Sequence, residues 1–314
     1  MVEPVVSILL VTWKRIDLLE ECLQGIAAAK PAAPFETIIV NNAGPRTAAR
    51  VEAIAAGAQV VHTRRNLGLP GGLRLARSMA RGRYLATLQD DVVVEAGWLD
   101  RLVERMEEDP WVGIVGSRIE LPDGDSMCGL YLYRSASGVR PEPRPGPMPV
   151  DLCNSASMLV RARAWDDAGG PSAELFPLAF VDFDLCLRVA RCGWIVEVLP
   201  RSSVRHKWHQ STPSSMRSYT VRRNGRLVRR WHSTWLAQRP SGGSVDDLRA
   251  RLEARAAEIR AKPPPAGKEA SPLTRADLAR LEKIARRGEV RLASGRLAVK
   301  IYRGAKAAWR FLRR

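Results

Sequence analysis

The chain has 314 residues, enough for one large α/β domain with an appendage or for two modest domains, and its 46% hydrophobic content argues for a packed core and against a disordered chain. The net charge of +17 is uneven: residues 1–200 carry 21 Lys+Arg against 25 Asp+Glu, and residues 201–314 carry 29 against 8, for nets of −4 and +21. No stretch nears the roughly 18–20 unbroken apolar residues of a membrane span, and Glu3 stands where a secretory signal would carry Lys or Arg.

The opening VVSILLVTW (5–13) reads as a buried strand, and 17–29 as an amphipathic helix with Leu18, Leu19, Cys22, Leu23 and Ile26 on one face. FETIIVNNAG (35–44) is a second strand running into a turn, followed by a helix near 47–56 and a third strand, AQVVHT (58–63). A helix over 71–81, a fourth strand RYLATLQD (83–90) and a helix over 98–107 complete a βαβαβαβ order, which favours a mostly parallel sheet covered by helices. The proline-rich GVRPEPRPGPMP (138–149) is a loop or lid. Beyond it, 150–160 reads as a strand, 183–192 as a helix and WIVEVLP (194–200) as a strand. QRPSGGS (238–244) and AKPPPAGKEASP (261–272) look like linkers around helices over 245–260, 273–287 and 295–314, and no internal repeat is present. Cys22, Cys128, Cys153, Cys186 and Cys192 lack zinc-site spacing, which favours reduced thiols in a cytoplasm.

Two adjacent acids, Asp90 and Asp91, end the fourth strand, and Asn41 and Asn42 end the second. In parallel α/β sheets ligands gather at the carboxyl ends of strands. Side-by-side carboxylates there repel each other unless something neutralises them; a divalent cation does so and usually brings a phosphate. The blander reading is a helix N-terminus, where acids favour the macrodipole. Downstream, AFVDFDLCLRVARCGW (179–194) carries Asp182 and Asp184 just ahead of an amphipathic helix with Arg188 one turn later, and His206 follows in VRHKWHQST.

This set resembles the inverting family 2 glycosyltransferases of GT-A fold, including rhamnosyltransferase-like enzymes of the bacterial cell envelope. VSILLVTWKR with CLQGI is similar to the family's opening strand and helix, and TIIVNNAG to its second strand and nucleotide-contacting turn. RNLGLPGGLRLARSMARGRYLATLQDDV resembles its Asn-x-Gly and glycine-rich segment leading into an Asp-x-Asp metal motif. VDFDLCLRVARCGW is similar to its Glu-Asp-x-Asp-Leu-x-x-Arg motif, LPRSSVRHKW to the strand ending in a metal-binding His, and SYTVRRNGRLVRR to the Arg-Asn helix that follows. The likeness covers roughly residues 5–231, and four motifs in the right order carry it.

The resemblance implies Mn²⁺ or Mg²⁺ held by Asp91 and His206 with Asp90 nearby, and Asp182 as the base that takes the acceptor proton. It further implies nucleotide-sugar contacts from Thr12, Trp13, Arg15, Asn41, Asn66, Gly68, Gly72, Gln89 and Asp90, and acceptor or diphosphate contacts from Asp184, Arg188, Arg223 and Asn224. Three positions depart from the pattern. Gln89 stands where the Asp-x-Asp begins, Asn41 where the uracil-contacting Asp would be, and Val181 where a Glu precedes the base; the last leaves Asp182 in a less charged setting that raises its pKa. Read without the family, His206 is a hydrogen-bonded structural residue, Asp184 a helix cap, and Gly68, Gly71 and Gly72 a tight turn. His62, His209 and His232 receive no role.

In GRLAVKIYRGAKAAWRFLRR (295–314), Leu297, Ile301, Ala305, Ala308, Trp309 and Leu312 recur every three or four residues, with basic residues largely opposite. Such a helix lies on an anionic membrane, or packs its apolar stripe on the catalytic domain. Nucleic acid is not expected, because no reader motif accompanies the charge. The expectation is therefore a catalytic domain over 1–237 and a basic helical extension over 238–314. The protein would be cytoplasmic, peripheral at the inner membrane face. It would move a hexosyl or deoxyhexosyl group from a nucleotide-diphosphate sugar to a lipid-linked or cell-envelope glycan. A natural-product acceptor and a non-catalytic scaffold that binds polyanions through its tail are the alternatives.

Overall fold

The computed structural model describes residues 3–207, 213–267 and 272–311, with only the backbone course at 215 and 295–311. The chain opens with β1 (Val6–Thr12), α1 (Ile16–Ala29), β2 (Phe35–Asn41), α2 (Ala48–Ile54), β3 (Gln59–His62), α3 (Gly68–Arg77) and β4 (Tyr84–Gln89). Next come β5 (Val92–Val94), α4 (Trp98–Glu108), β6 (Val112–Glu120), β7 (Ser126–Met127), β8 (Tyr131–Leu132), β9 (Gly138–Val139) and β10 (Met148–Pro149). The chain continues through β11 (Ser157–Arg161), α5 (Ala162–Ala168), α6 (Val181–Arg191), β12 (Ile195–His206), α7 (Ser214–Trp231), α8 (Ser233–Leu236), α9 (Val245–Arg260) and α10 (Arg275–Phe311).

The expected α/β class holds. β1 lies between β2 and β4, all parallel, with β3 outside β2. Beyond β4 the sheet turns mixed: β11 runs antiparallel to both β4 and β6, and β12 is parallel to β6, giving the order β10-β12-β6-β11-β4-β1-β2-β3. Alternation along each strand splits the core in two. Leu9, Ile38, Val40 and Leu85 face a layer with α3, α5 and α6, whereas Ile8, Leu10, Ile39 and Ala86 face α1 and α4.

Several boundaries differ from the sequence reading. The strand expected over 150–160 is confined to Ser157–Arg161, because the Asn154 side chain takes the Ala156 N–H and its carbonyl the Ser157 N–H, which makes a turn. The strand expected to stop at Pro200 instead continues to His206 through a register shift between Leu199 and Ser203. β6 was not expected at all. The helices expected over 273–287 and 295–314 are one, α10, and the side chains of the amphipathic stripe over 297–312 lie outside the described residues, as does His209.

The C-terminal segments are bolted to the sheet. A capping box of Ser244 and Asp247 starts α9, and Leu248 and Leu252 enter the main core. From the end of α9, Arg260 reaches Asp109, which with buried Glu197 also receives Arg105. Leu281, Ala285 and Leu292 of α10 cluster with Leu67, Phe176 and Met216. Within the stretch read as a linker, Arg239 stacks 3.4 Å from the Trp235 ring centroid and pairs with Asp151 at 2.6 Å. The side chains of Arg239 and Asp151 are 3% and 2% exposed. Removing one member of a buried pair strands the other charge, so Asp151→Ala should lower stability by about 3–5 kcal/mol. Urea unfolding checks this, and an unchanged midpoint would refute the anchoring role.

Candidate active site

The site forms where β1, β2 and β4 end together at one edge of the sheet. After Gln89 the chain turns through Asp90 and Asp91 into β5, which pairs antiparallel with the last residues of β12 and sets Val92 opposite His206. That pairing brings His206 Nε2 to 3.0 Å from Asp91 Oδ1, and the Lys207 N–H donates to the Asp91 carbonyl at 2.9 Å. Asp90 is buried, and its Oδ2 has no hydrogen-bond partner. Burial pushes the Asp90 carboxyl up to about 7, and the neighbouring Asp91 charge adds to the shift.

Asp182 sits in the first turn of α6, behind a loop in which Ala179 and Phe180 both take positive φ, 72° and 62°. Such values are costly for residues with a side chain, of order 1–3 kcal/mol each. The loop is held by Asn224 of α7, whose amide donates to the carbonyls of Leu175, Leu178 and Ala179 at 2.8, 2.7 and 3.2 Å. The Asp182 carboxylate accepts the Phe183 N–H at 2.9 Å and the Ser155 N–H at 3.3 Å, but burial outweighs both and holds its pKa above the usual carboxylate range.

Between these groups lies a cleft of about 330 Å³. Of the residues expected there, Trp13, Asn66, Gly68, Gln89, Asp90, Asp91, Asp182 and His206 line it. Gln89 Nε2 donates to Ser155 Oγ at 3.1 Å, which ties the end of β4 to the turn before β11. At Gly68, φ is +71° and an added Cβ would come within 2.8 Å of the Pro177 carbonyl, so a side chain there would displace the cleft wall.

The other expected residues stand elsewhere. Thr12 is fully buried at the end of β1, and Arg15 is exposed and paired with Asp17. Asn41 is consumed within its own turn, donating to Thr47 Oγ1 and His62 Nδ1. Gly72 packs α3 on β1, since a Cβ there would meet Val11 at 2.6 Å. Asp184 is fully buried: it accepts the Ser172 N–H and Arg188 Nε on one oxygen, and His232 Nε2 lies 2.8 Å from the other. Burial pushes Asp184 up, but His232, Arg188 and the Ser172 N–H together hold it below the usual carboxylate range. Arg223 donates to the Glu174 carbonyl and to Asn224, so both members of the Arg-Asn pair secure the loop rather than line the cleft.

The cleft residues missed are Val11, Asn42, Leu69, Asn154, Ser155, the 177–180 loop, Met216, Arg217 and Val221. Asn42 left a signal, standing beside Asn41 at a strand end. Its amide donates to the Gly68 carbonyl, and its oxygen accepts the Leu67 N–H.

Among the described residues no three His, Cys, Asp or Glu side chains converge at ligand distance. The donor set present is a carboxylate and an imidazole beside a buried carboxylate oxygen without a partner. It fits a hard divalent cation that takes its remaining ligands from phosphate oxygens and water.

Residues 7–134 match the family model described as Glycosyl transferase family 2. The chain is 25% identical over 252 residues to the uncharacterized protein y4gI of Sinorhizobium fredii; the match covers 73% of this chain and 28% of that one, so the chain spans little more than a quarter of this relative. Among solved structures, the chain is similar to GalNAc-T7 with UDP, GalNAc and Mn²⁺, at a TM-score of 0.60 and 14% identity over 81% of this chain and 54% of that one. It is also similar to the mannosyltransferase PcManGT from Pyrobaculum calidifontis in complex with GDP-Man and Mn²⁺, at a TM-score of 0.52 and 15% identity over 98% of this chain and 81% of that one. These likenesses show the GT-A fold.

The loop gives a direct test. Asn224→Ala leaves three loop carbonyls without their partner and should lower stability by about 1–3 kcal/mol. Chemical denaturation reads that loss, and hydrogen exchange over 175–180 should rise with it; unchanged exchange would contradict the clasp.

Proposed function

We propose that the chain transfers a sugar, with inversion, from a nucleotide-diphosphate donor to an acceptor hydroxyl, using a divalent cation. The observation that carries this reading is the convergence of Asp90, Asp91 and His206 on one cleft with Asp182. Asp91 and His206 would hold Mn²⁺ or Mg²⁺, with Asp90 beside them. The bound cation neutralises charge that develops on the departing diphosphate. The cation field would also return Asp90 to its ionised form.

Asp182 does the proton work. Its two oxygens each accept one backbone N–H, which fixes the carboxylate while leaving lone pairs directed to the cleft. A base held above the usual carboxylate range takes the hydroxyl proton with less thermodynamic penalty as the glycosidic bond forms. Trp13 lines the same cleft, and Asn66 and Gln89 supply amide groups along its wall.

The acceptor we infer is a lipid-linked or cell-envelope glycan met at an anionic membrane face. The support is the +21 charge of residues 201–314 and the exposure of the apolar Val290 (62%) on α10, a helix that also carries exposed arginines. No helix among the described residues is long and apolar enough to cross a membrane.

Thermal shift with UDP, GDP, dTDP and CDP, each with and without Mn²⁺, tests the donor site. One nucleotide with metal should stabilise the protein by about 2.7 kcal/mol at a hundredfold excess over its Kd, and Asp91→Ala should abolish the metal-dependent part. Silence from every nucleotide would favour a non-catalytic scaffold. The rate should also depend on pH through Asp182, which acts only when ionised. Because its pKa lies above the ordinary value near 3.9, kcat should fall about tenfold per pH unit on the acid side of a point above that value. Asp182→Asn should remove turnover with folding intact; an Asn variant that turns over at the wild-type rate would refute the assignment.

A further inference from the structure

The loop that walls the cleft with residues 177–180 borders, through residues 172–174, a second groove of about 290 Å³. Three guanidinium groups reach this groove from three helices: Arg74 from α3, Arg188 from α6 and Arg280 from α10. Arg74 Nη1 donates to the carbonyls of Gly169 and Pro171, and Arg188 spends Nε on Asp184. Arg280 is exposed and has no hydrogen bond or ion pair among the described residues.

Two carboxylates share the rim, and each also has a partner outside the three arginines. Glu174 Oε2 stands 4.0 Å from both Arg223 and Arg291, and Asp277 caps α10 by accepting the Thr274 N–H and hydroxyl at 3.0 and 2.6 Å. Burial first, then the charge of Arg188, holds Arg74 below its ordinary pKa, with Arg280 adding less and Asp277 and Asp184 opposing. A group of this kind is relieved by a dianion, for which the guanidinium fork is the best protein partner.

We propose that the groove between Arg74, Arg188 and Arg280 is a phosphate-binding site distinct from the donor cleft, taking either a free phosphate or the phosphate of a lipid headgroup. Ser172 lines the same groove, and its N–H and Arg188 both bond Asp184, two residues from Asp182. An occupied groove thus braces the segment that presents the base. The site is independent of the donor reading, since none of its residues lines the cleft.

The test is calorimetric titration of the full chain with inorganic phosphate and pyrophosphate, beside flotation with phosphatidylcholine vesicles that contain or lack phosphatidic acid. Arg280→Glu should weaken binding at least tenfold. Arg286→Glu, which changes an exposed charge of the same helix outside the groove, should change it less than twofold, and so should Asp91→Ala in the cleft. Saturable titration with that pattern assigns free phosphate, and flotation on phosphatidic acid alone with the same pattern assigns the headgroup. The proposal fails if neither probe binds, if Arg280→Glu and Arg286→Glu lose equally, or if Asp91→Ala is the variant that loses.

Discussion

Asp90 and Asp91 are carboxylates placed at the end of a strand that is central in the sheet and buried on both faces. Desolvation there favours the neutral form of Asp90, and the Asp91 charge adds to it. The surroundings are arranged around that cost. β5 is only three residues long, yet its pairing with β12 delivers an imidazole to Asp91, and β12 must run past its own register shift to reach that far. The shift at Pro200 thus serves the site, since without it the strand would end six residues before His206. Asp90 receives no such partner, which is why a cation is the simplest way to complete the arrangement.

How much of this could be read from the residues depends on which forces act locally. The first four strands and three helices announce themselves by alternation and by spacings of three and four, because each buries one face or stripe. Asp90, Asp91, Asp182 and His206 were legible as a set from their order. β6 was not, because VGIVGSRIE is buried nearly throughout and shows no period, and it carries two glycines, Gly113 and Gly116, which strands do not favour. In the fold they are close approaches, to Trp194 and to Cys153. Asp184, Arg188, Arg223 and Asn224 were legible as a cluster but not as to what they touch. Whether a side chain beside Asp182 faces the cleft or braces the loop behind it is decided by packing from α7 and α10, far along the chain.

The C-terminal residues illustrate the same limit. Composition marks 238–244 as a linker, rich in polar and small residues, yet Arg239 within it is among the most buried charges in the molecule. A single long side chain with an aromatic ring beneath it and a carboxylate ahead of it is enough to convert a tether into a fastening. The uneven charge noted in the sequence is then partly structural. Arg239 and Arg260 are committed to acids of the first 200 residues, while Arg229 and Arg230 of α7 and Arg286 and Arg287 of α10 stand exposed.

The loop before α6 has one more consequence. Ala179 and Phe180 hold backbone angles that they would leave if released, so part of the energy with which Asn224 grips three carbonyls is spent opposing a strained chain. When that grip loosens, the strain is returned. The wall of the cleft is therefore a sprung latch: firm while α7 is seated, and lighter to open than its three hydrogen bonds alone would make it.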